Sequence, residues 1–66
     1  MHQADIKTGM TYSGKRWKGD RRVVRMEQVK GVQIVHYVDM RTSRTGNVPI
    51  ELFASGADRR GLVANT

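Results

Sequence analysis

Two valine-rich segments on either side of a Lys-Gly pair constrain the fold of this chain more than any other feature. The segments run from residue 21 to 29 and from 32 to 40, with Lys30 and Gly31 between them. β-Branched side chains suit the pleated surface of a strand, and Gly31 can take the positive φ that a tight turn needs. The pattern therefore predicts an antiparallel β-hairpin with a two-residue turn.

The register of this hairpin decides which side chains share a face. A two-residue turn sets four pairs opposite each other: Met26 and Val35, Val24 and Tyr37, Gln28 and Gln33, and Arg22 and Asp39. A three-residue turn with a bulge at Gly31 would instead set Met26 opposite Ile34 and reverse the faces of the second segment. We favour the first register, because it gathers four apolar side chains on one face and pairs Arg22 with Asp39.

The other face of the hairpin then carries an excess of apolar side chains, among them Val23, Ile34 and Val38. Contiguous exposed apolar area marks an interaction surface in a soluble protein. Either the strands bend so that both faces are partly covered, as in a small barrel, or these three residues contact a protein partner or a second copy of the chain.

Shorter patterns surround the hairpin. They predict a disordered segment at 1–7, a first strand at 9–12, a loop or hairpin tip at 41–47, a fourth strand through 48–52, helical character over 50–58 and a brief fifth strand at 62–64. Pro49 lacks a backbone donor, which places it at an edge or at a strand end. We expect Tyr12, Tyr37 and Phe53 to lie in the core.

Size and charge limit the classes of function. Sixty-six residues without cysteine form one domain, here 8–66, that packing alone must stabilise. Twelve Lys and Arg against six Asp and Glu give a net charge of +6, which favours acidic partners and nucleic acid above all. No apolar run reaches the length of a membrane span, so we predict no membrane partner and a cytoplasmic location.

The order of these landmarks resembles the small bacterial and phage SH3-like barrels, which are close in shape to KOW and Tudor-type modules. The residues that carry the likeness are Gly9, Tyr12, Arg22, Val24, Met26, Val35, Tyr37, Ile50, Leu52 and Phe53. It implies an all-β fold: a small SH3-like barrel of about five short antiparallel strands with one short helical turn before the last strand. The same barrel carries nucleic-acid binders, peptide binders and an enzyme, so the resemblance concerns the fold more than the function.

The run Val32, Gln33 and Ile34 is similar to the Val-Gln-Ile-Tyr strand of the type II dihydrofolate reductases, which are SH3-like tetramers with a central active pore. The chain departs from that strand at Val35, where the family has tyrosine, and the run lies in mid-chain. The likeness implies a reductase as a remote alternative.

Catalytic and metal-binding patterns are absent from the sequence. The six carboxylates are scattered, and His2 and His36 do not have the spacing of a metal site. We therefore predict that the chain is not an enzyme and needs no cofactor or metal.

The most specific functional feature is the basic loop, Gly14 to Asp20, together with the cations that follow it. Six of the eleven residues from Lys15 to Arg25 are Lys or Arg, which can neutralise the phosphates of DNA or RNA. Trp17 either stacks on an unpaired base or fills the core. The predicted nucleic-acid-binding residues are Lys15, Arg16, Trp17, Lys18, Arg21, Arg25, Arg41 and Arg44.

Overall fold

A computed structural model describes residues 1–60 as one antiparallel sheet with a short helix packed against it. The elements are a 3-10 helix (Gln3–Asp5), β1 (Thr11–Ser13), β2 (Arg21–Val29), β3 (Val32–Asp39), β4 (Thr45–Pro49), α1 (Ile50–Gly56) and β5 (Arg59–Arg60). The five strands lie in the order β4-β3-β2-β1-β5. The prediction of a mostly antiparallel β fold with one short helix is confirmed.

The central hairpin forms with the predicted two-residue turn. Lys30 and Gly31 have φ of 50° and 81°, the positive values at both turn residues that a type I′ turn requires. Val29 pairs with Val32, and Met26 pairs with Val35. The register that we favoured is therefore correct next to the turn.

A β-bulge at Val24 changes the register in the other half of the hairpin. The pairing shifts between Val23 and Arg25, so that Val23 lies opposite Tyr37 and Arg21 lies opposite Asp39. The predicted pairs of Val24 with Tyr37 and of Arg22 with Asp39 are wrong, because one extra residue moves every earlier side chain of β2 to the other face.

The bulge also reverses the predicted roles of two adjacent valines. Val23 is completely buried, whereas 43% of Val24 is exposed. Val23 therefore belongs to the core and cannot take part in the partner surface that the sequence predicted for it. Ile34 and Val38 do lie on the outer face of the hairpin, where both are half-buried.

The core lies between the inner face of the sheet and α1. Tyr12, Val23, Val35 and Phe53 are fully buried, and the rings of Tyr12 and Phe53 meet edge to face with centroids 5.7 Å apart. The predicted core positions of Tyr12 and Phe53 are confirmed, and Tyr37 packs against the core while half-buried.

The segments outside the hairpin differ from expectation in several places. Residues 1–7, for which the sequence predicts disorder, contain the 3-10 helix and place Ile6 in the core. The loop or hairpin tip predicted at 41–47 does connect two antiparallel strands, β3 and β4, but it ends earlier than predicted, since β4 begins at Thr45.

The fourth strand also ends earlier than predicted. It stops at Pro49, which lies on the edge strand as expected, and the chain continues as helix, so that Leu52 points outward with 64% of its surface exposed. The strand predicted at 62–64 lies outside the described residues. The last strand that the structure describes is Arg59–Arg60, which pairs with β1.

Candidate nucleic-acid interface

The basic loop is fixed to three neighbouring segments by short hydrogen bonds. The backbone N–H of Lys15 donates to Asp58 Oδ2 at 2.6 Å, and Ser13 Oγ donates to Asp20 Oδ1 at 2.6 Å. The N–H of Met40 donates to the carbonyl of Asp20 at 2.8 Å. These bonds join the loop to β1, to the segment before β5 and to the β3–β4 loop, so that all three lie at one end of the sheet.

The carboxylates at this end serve as acceptors for backbone and hydroxyl donors. Asp20 and Asp58 accept the bonds just described, and Asp39 Oδ1 accepts from the backbone N–H groups of Arg41 at 2.8 Å and Thr42 at 3.3 Å. Side-chain oxygens that cap loop N–H groups in this way stabilise turns. Asp58 therefore holds the backbone of the basic loop at Lys15, and Asp39 holds the backbone of the β3–β4 loop.

Within the described residues, the cations of this end do not pair with carboxylates. Within residues 1–60, no ion pair is formed by the exposed side chains of Lys15, Arg16, Lys18, Arg41 and Arg44. We call these five residues, together with Arg21, the basic end. Unpaired cations concentrated on one part of a surface produce a positive potential there.

Trp17 packs against the edge of the core and remains half-buried. Its ring centroid lies 5.1 Å from that of Phe53. A Cβ at Gly14 would lie 2.8 Å from Trp17 Cδ2, and one at Gly56 would lie 2.7 Å from Nε1. Only glycine permits such an approach of the backbone to the ring, so both positions accommodate the indole. Of the two interpretations of Trp17, the structure is closer to the core-filling one.

Arg21 lies over two aromatic rings. Its Cζ is 4.4 Å from the ring centroid of Trp17 and 4.6 Å from that of Tyr37. The bulge at Val24 is the reason, because it turns Arg21 to the inner face that Val23 and Tyr37 share. Arg21 Nε is buried and has no hydrogen-bond partner within residues 1–60.

The structure brings most of the predicted residues together. The basic loop adjoins the β3–β4 loop so closely that a Cβ at Gly19 would lie 2.5 Å from Arg41 Cβ. Arg44 follows in the same loop, and its carbonyl accepts a bond from the N–H of Asp39. Arg25 is the exception: it lies on the outer face, 3.8 Å from Glu27.

Sequence reasoning missed other residues close to this end. Arg59 and Arg60, which are not among the predicted site residues, pair with Ser13 and Tyr12 of β1 and are exposed. Tyr37 was expected only as a core residue, yet it also contacts Arg21. The run Asp58-Arg59-Arg60 could have indicated that two more cations lie near this end. Nothing in the sequence indicates that Tyr37 contacts Arg21.

A shallow depression of about 160 Å³ beside the loop is lined by Lys15, Arg16, Ser55, Gly56 and Asp58. Across residues 1–60 there is no group of three or more His, Cys, Asp or Glu side chains that could hold a metal ion. In the same part of the chain, no helix is long and apolar enough to cross a membrane.

Comparison of the chain with models of protein families, with curated proteins and with solved structures finds no match in any of the three.

Proposed function

We propose that this protein is a small nucleic-acid-binding module that grips the phosphate backbone of DNA or RNA with its basic end. The observation that carries the proposal is that the carboxylates and the cations of that end have different partners. Asp20, Asp39 and Asp58 accept hydrogen bonds from backbone and hydroxyl donors, while the neighbouring cations form no ion pair within residues 1–60. Such cations can neutralise phosphates and release the counterions bound to them, and few ion pairs within the protein have to break first.

We further propose that the sheet curls into a small SH3-like barrel. The strand order β4-β3-β2-β1-β5 and the position of α1 between β4 and β5 support this proposal. The bulge at Val24 supports it as well, since bulges bend a strand and increase its twist.

The salt dependence of binding tests the proposed function. We expect the affinity for a short DNA or RNA duplex to fall steeply as salt rises. In the double variant Lys15→Ala/Lys18→Ala, the slope of log K against log salt should decrease by roughly one unit for each lost phosphate contact.

The matched control is Lys7→Ala/Lys30→Ala, which removes two exposed lysines from other loops and changes the net charge equally. A similar loss of slope in both double variants would mean that only net charge matters. Undetectable binding at low ionic strength would contradict the proposed function.

A protein-interaction or regulatory module is the second candidate, favoured by one observation on the outer face of the hairpin. Val29 and Val32 are 42% and 47% exposed, and the half-buried Ile34 and Val38 lie on the same face. We propose that a second copy of the chain covers this face. Sedimentation of Val29→Lys/Val32→Lys against the unchanged protein tests the idea, and a concentration-independent monomer in both would contradict it.

We also propose a non-catalytic protein that works in the cytoplasm without a cofactor. The scattering of the six carboxylates along the sequence supports the non-catalytic part of this proposal. A symmetric tetramer with cofactor-dependent turnover would favour the reductase alternative instead.

A further inference from the structure

Arg21 has an environment that no other residue of the basic end shares. It is half-buried, whereas Lys15, Arg16 and Lys18 are exposed, and its guanidinium lies within 4.6 Å of the ring centroids of both Trp17 and Tyr37. A planar guanidinium stacks well on aromatic faces, which attract it electrostatically. The two rings therefore fix the orientation of Arg21 before any ligand arrives.

The hydrogen-bonding capacity of this guanidinium is unused within residues 1–60. Its side chain forms no ion pair there, and the buried Nε has no partner. Asp39 is the cross-strand neighbour of Arg21, but its Oδ1 accepts from the backbone of Arg41 and Thr42. Because Nε is closed off, only the end of the guanidinium that carries the two Nη atoms is open to a ligand.

The indole of Trp17 is already in contact with several groups. Arg21 lies over the ring, Phe53 packs beside it, and the backbones of Gly14 and Gly56 approach too closely for a Cβ at either position. A nucleic-acid base that stacked on Trp17 would have to displace one of these groups. Stacking platforms for bases are instead rings with a free face.

We propose that Trp17 and Tyr37 form a clamp that presents the two Nη atoms of Arg21 as a bidentate receptor for one backbone phosphate. This inference rests on the proposed function and names the ligand of Arg21 more closely. Arg21 binds the phosphodiester group and does not contact a base. Arginine recognises phosphate best in this two-pronged geometry, and a side chain fixed in advance loses less freedom on binding. Single strands and duplexes are then both ligands.

An abasic probe separates phosphate recognition from base stacking. Three probes with equal numbers of phosphates are titrated into the full chain at low salt: an ordinary single strand, a duplex, and a single strand whose sugars carry no bases. Anisotropy of a label on each probe gives the affinity. The fluorescence of Trp17, the only tryptophan in the chain, reports stacking.

We expect the abasic strand to bind within about threefold of the ordinary single strand, with little quenching of Trp17 by either, because the contacts are to phosphate. Tenfold weaker binding of the abasic strand with quenching by the base-bearing strand, roughly the loss of one stacked base, would overturn the clamp and leave the proposed function standing. Failure of all three probes to bind would overturn both.

Two adjacent arginines provide a matched pair of variants. Arg21→Lys keeps the charge but loses the planar fork, and Arg22→Lys makes the same change at an exposed residue outside the clamp, opposite Val38. We expect about a tenfold loss of affinity for Arg21→Lys and less than about twofold for Arg22→Lys. Equal affinities for the two variants would contradict the clamp. NMR spectra check that both are folded, and the abasic comparison needs no variant at all.

Discussion

The basic end of the sheet and the outer face of the β2–β3 hairpin are both unpartnered within the described chain, but in different ways. At the basic end, the acidic side chains bond to backbone and hydroxyl groups and the cations remain without ion pairs. On the outer face, Glu27 Oε1 lies 2.8 Å from His36 Nε2 and 3.8 Å from Arg25 Nη1, and Arg22 forms no ion pair within residues 1–60. The apolar side chains of Val29, Val32, Ile34 and Val38 lie on the same face. One region offers charge to a partner, and the other offers apolar area.

This difference gives the two regions opposite responses to salt. Attraction between cations and phosphates weakens as counterions accumulate, whereas burial of apolar surface is little affected or strengthened by salts such as sulfate. The two candidate functions can therefore be distinguished by one variable before any partner is identified.

The largest expected effect is a loss of stability when the packing of Gly14 in the basic loop is disturbed. A Cβ at Gly14 would lie 2.2 Å from the carbonyl oxygen of Gly56, a backbone atom with little freedom to move. We expect Gly14→Ala to lower the free energy of unfolding by about 2 to 3 kcal/mol and to displace Trp17. Urea denaturation followed by Trp17 fluorescence measures both effects. Ser55→Ala, an exposed change in α1, is the control, and an equal stability of the two variants would show that the loop is not so tightly packed.

A second prediction tests the bulge that separates the two faces. Val23→Ala should cost about 2 kcal/mol because it leaves a cavity in the core, while Val24→Ala should change stability by roughly 0.5 kcal/mol or less. Thermal or urea unfolding of the two variants gives the comparison. If the costs were reversed, β2 would follow the straight register, and Val23 would lie on the outer face.

A smaller effect should follow from the location of Arg25. The sequence placed this residue in the nucleic-acid site, but the structure places it on the outer face beside Glu27. We expect Arg25→Ala to reduce oligonucleotide affinity by less than about twofold, and Arg41→Ala by about threefold to tenfold through a lost phosphate contact. Anisotropy titrations at one salt concentration suffice. A larger loss for Arg25→Ala would extend the binding surface around the edge of the sheet.

The smallest effect concerns the stability that the outer-face ion pair provides. Arg25 and Glu27 are 60% and 45% exposed at their side chains, so solvent screens the pair. Glu27→Gln should lower the free energy of unfolding by no more than about 0.5 kcal/mol. A urea titration of this variant at low and high salt checks the expectation. A cost well above this value would mean that the outer face is more rigid than its exposure indicates.

The sequence predicted the hairpin well because local chemistry determines it. Lys30-Gly31 favours a tight turn, and the valines on both sides favour strands, so the bounds of β2 match the prediction. The bulge has no such signal, since nothing in Arg-Val-Val-Arg marks which valine is the extra one. Pro49 was ambiguous for a different reason: it can end a strand or precede a helix, and here it does both.

The exposure of the cations in the candidate site could be predicted from the sequence, but the positions of Trp17 and Arg21 could not. A loop as basic as Lys15 to Lys18 must expose its cations in so small a domain, and it does. The position of Trp17 depends on Gly56, which is remote in sequence and approaches the ring from the end of α1. The clamp around Arg21 depends in turn on the bulge, so it could not be predicted from the straight register.

The bulge at Val24 makes the length of β2 a determinant of the chemistry of this protein. Loss of the single codon for residue 24 would restore a regular ladder in which Val23 still lies opposite Tyr37 and Arg21 opposite Asp39, so both side chains would keep the inner face. Loss of the codon for Arg22 would instead set Arg21 opposite Val38 on the outer face and empty the aromatic clamp. Over evolutionary time, loss of the bulged residue should therefore be tolerated better than an insertion or deletion between Arg21 and Val23.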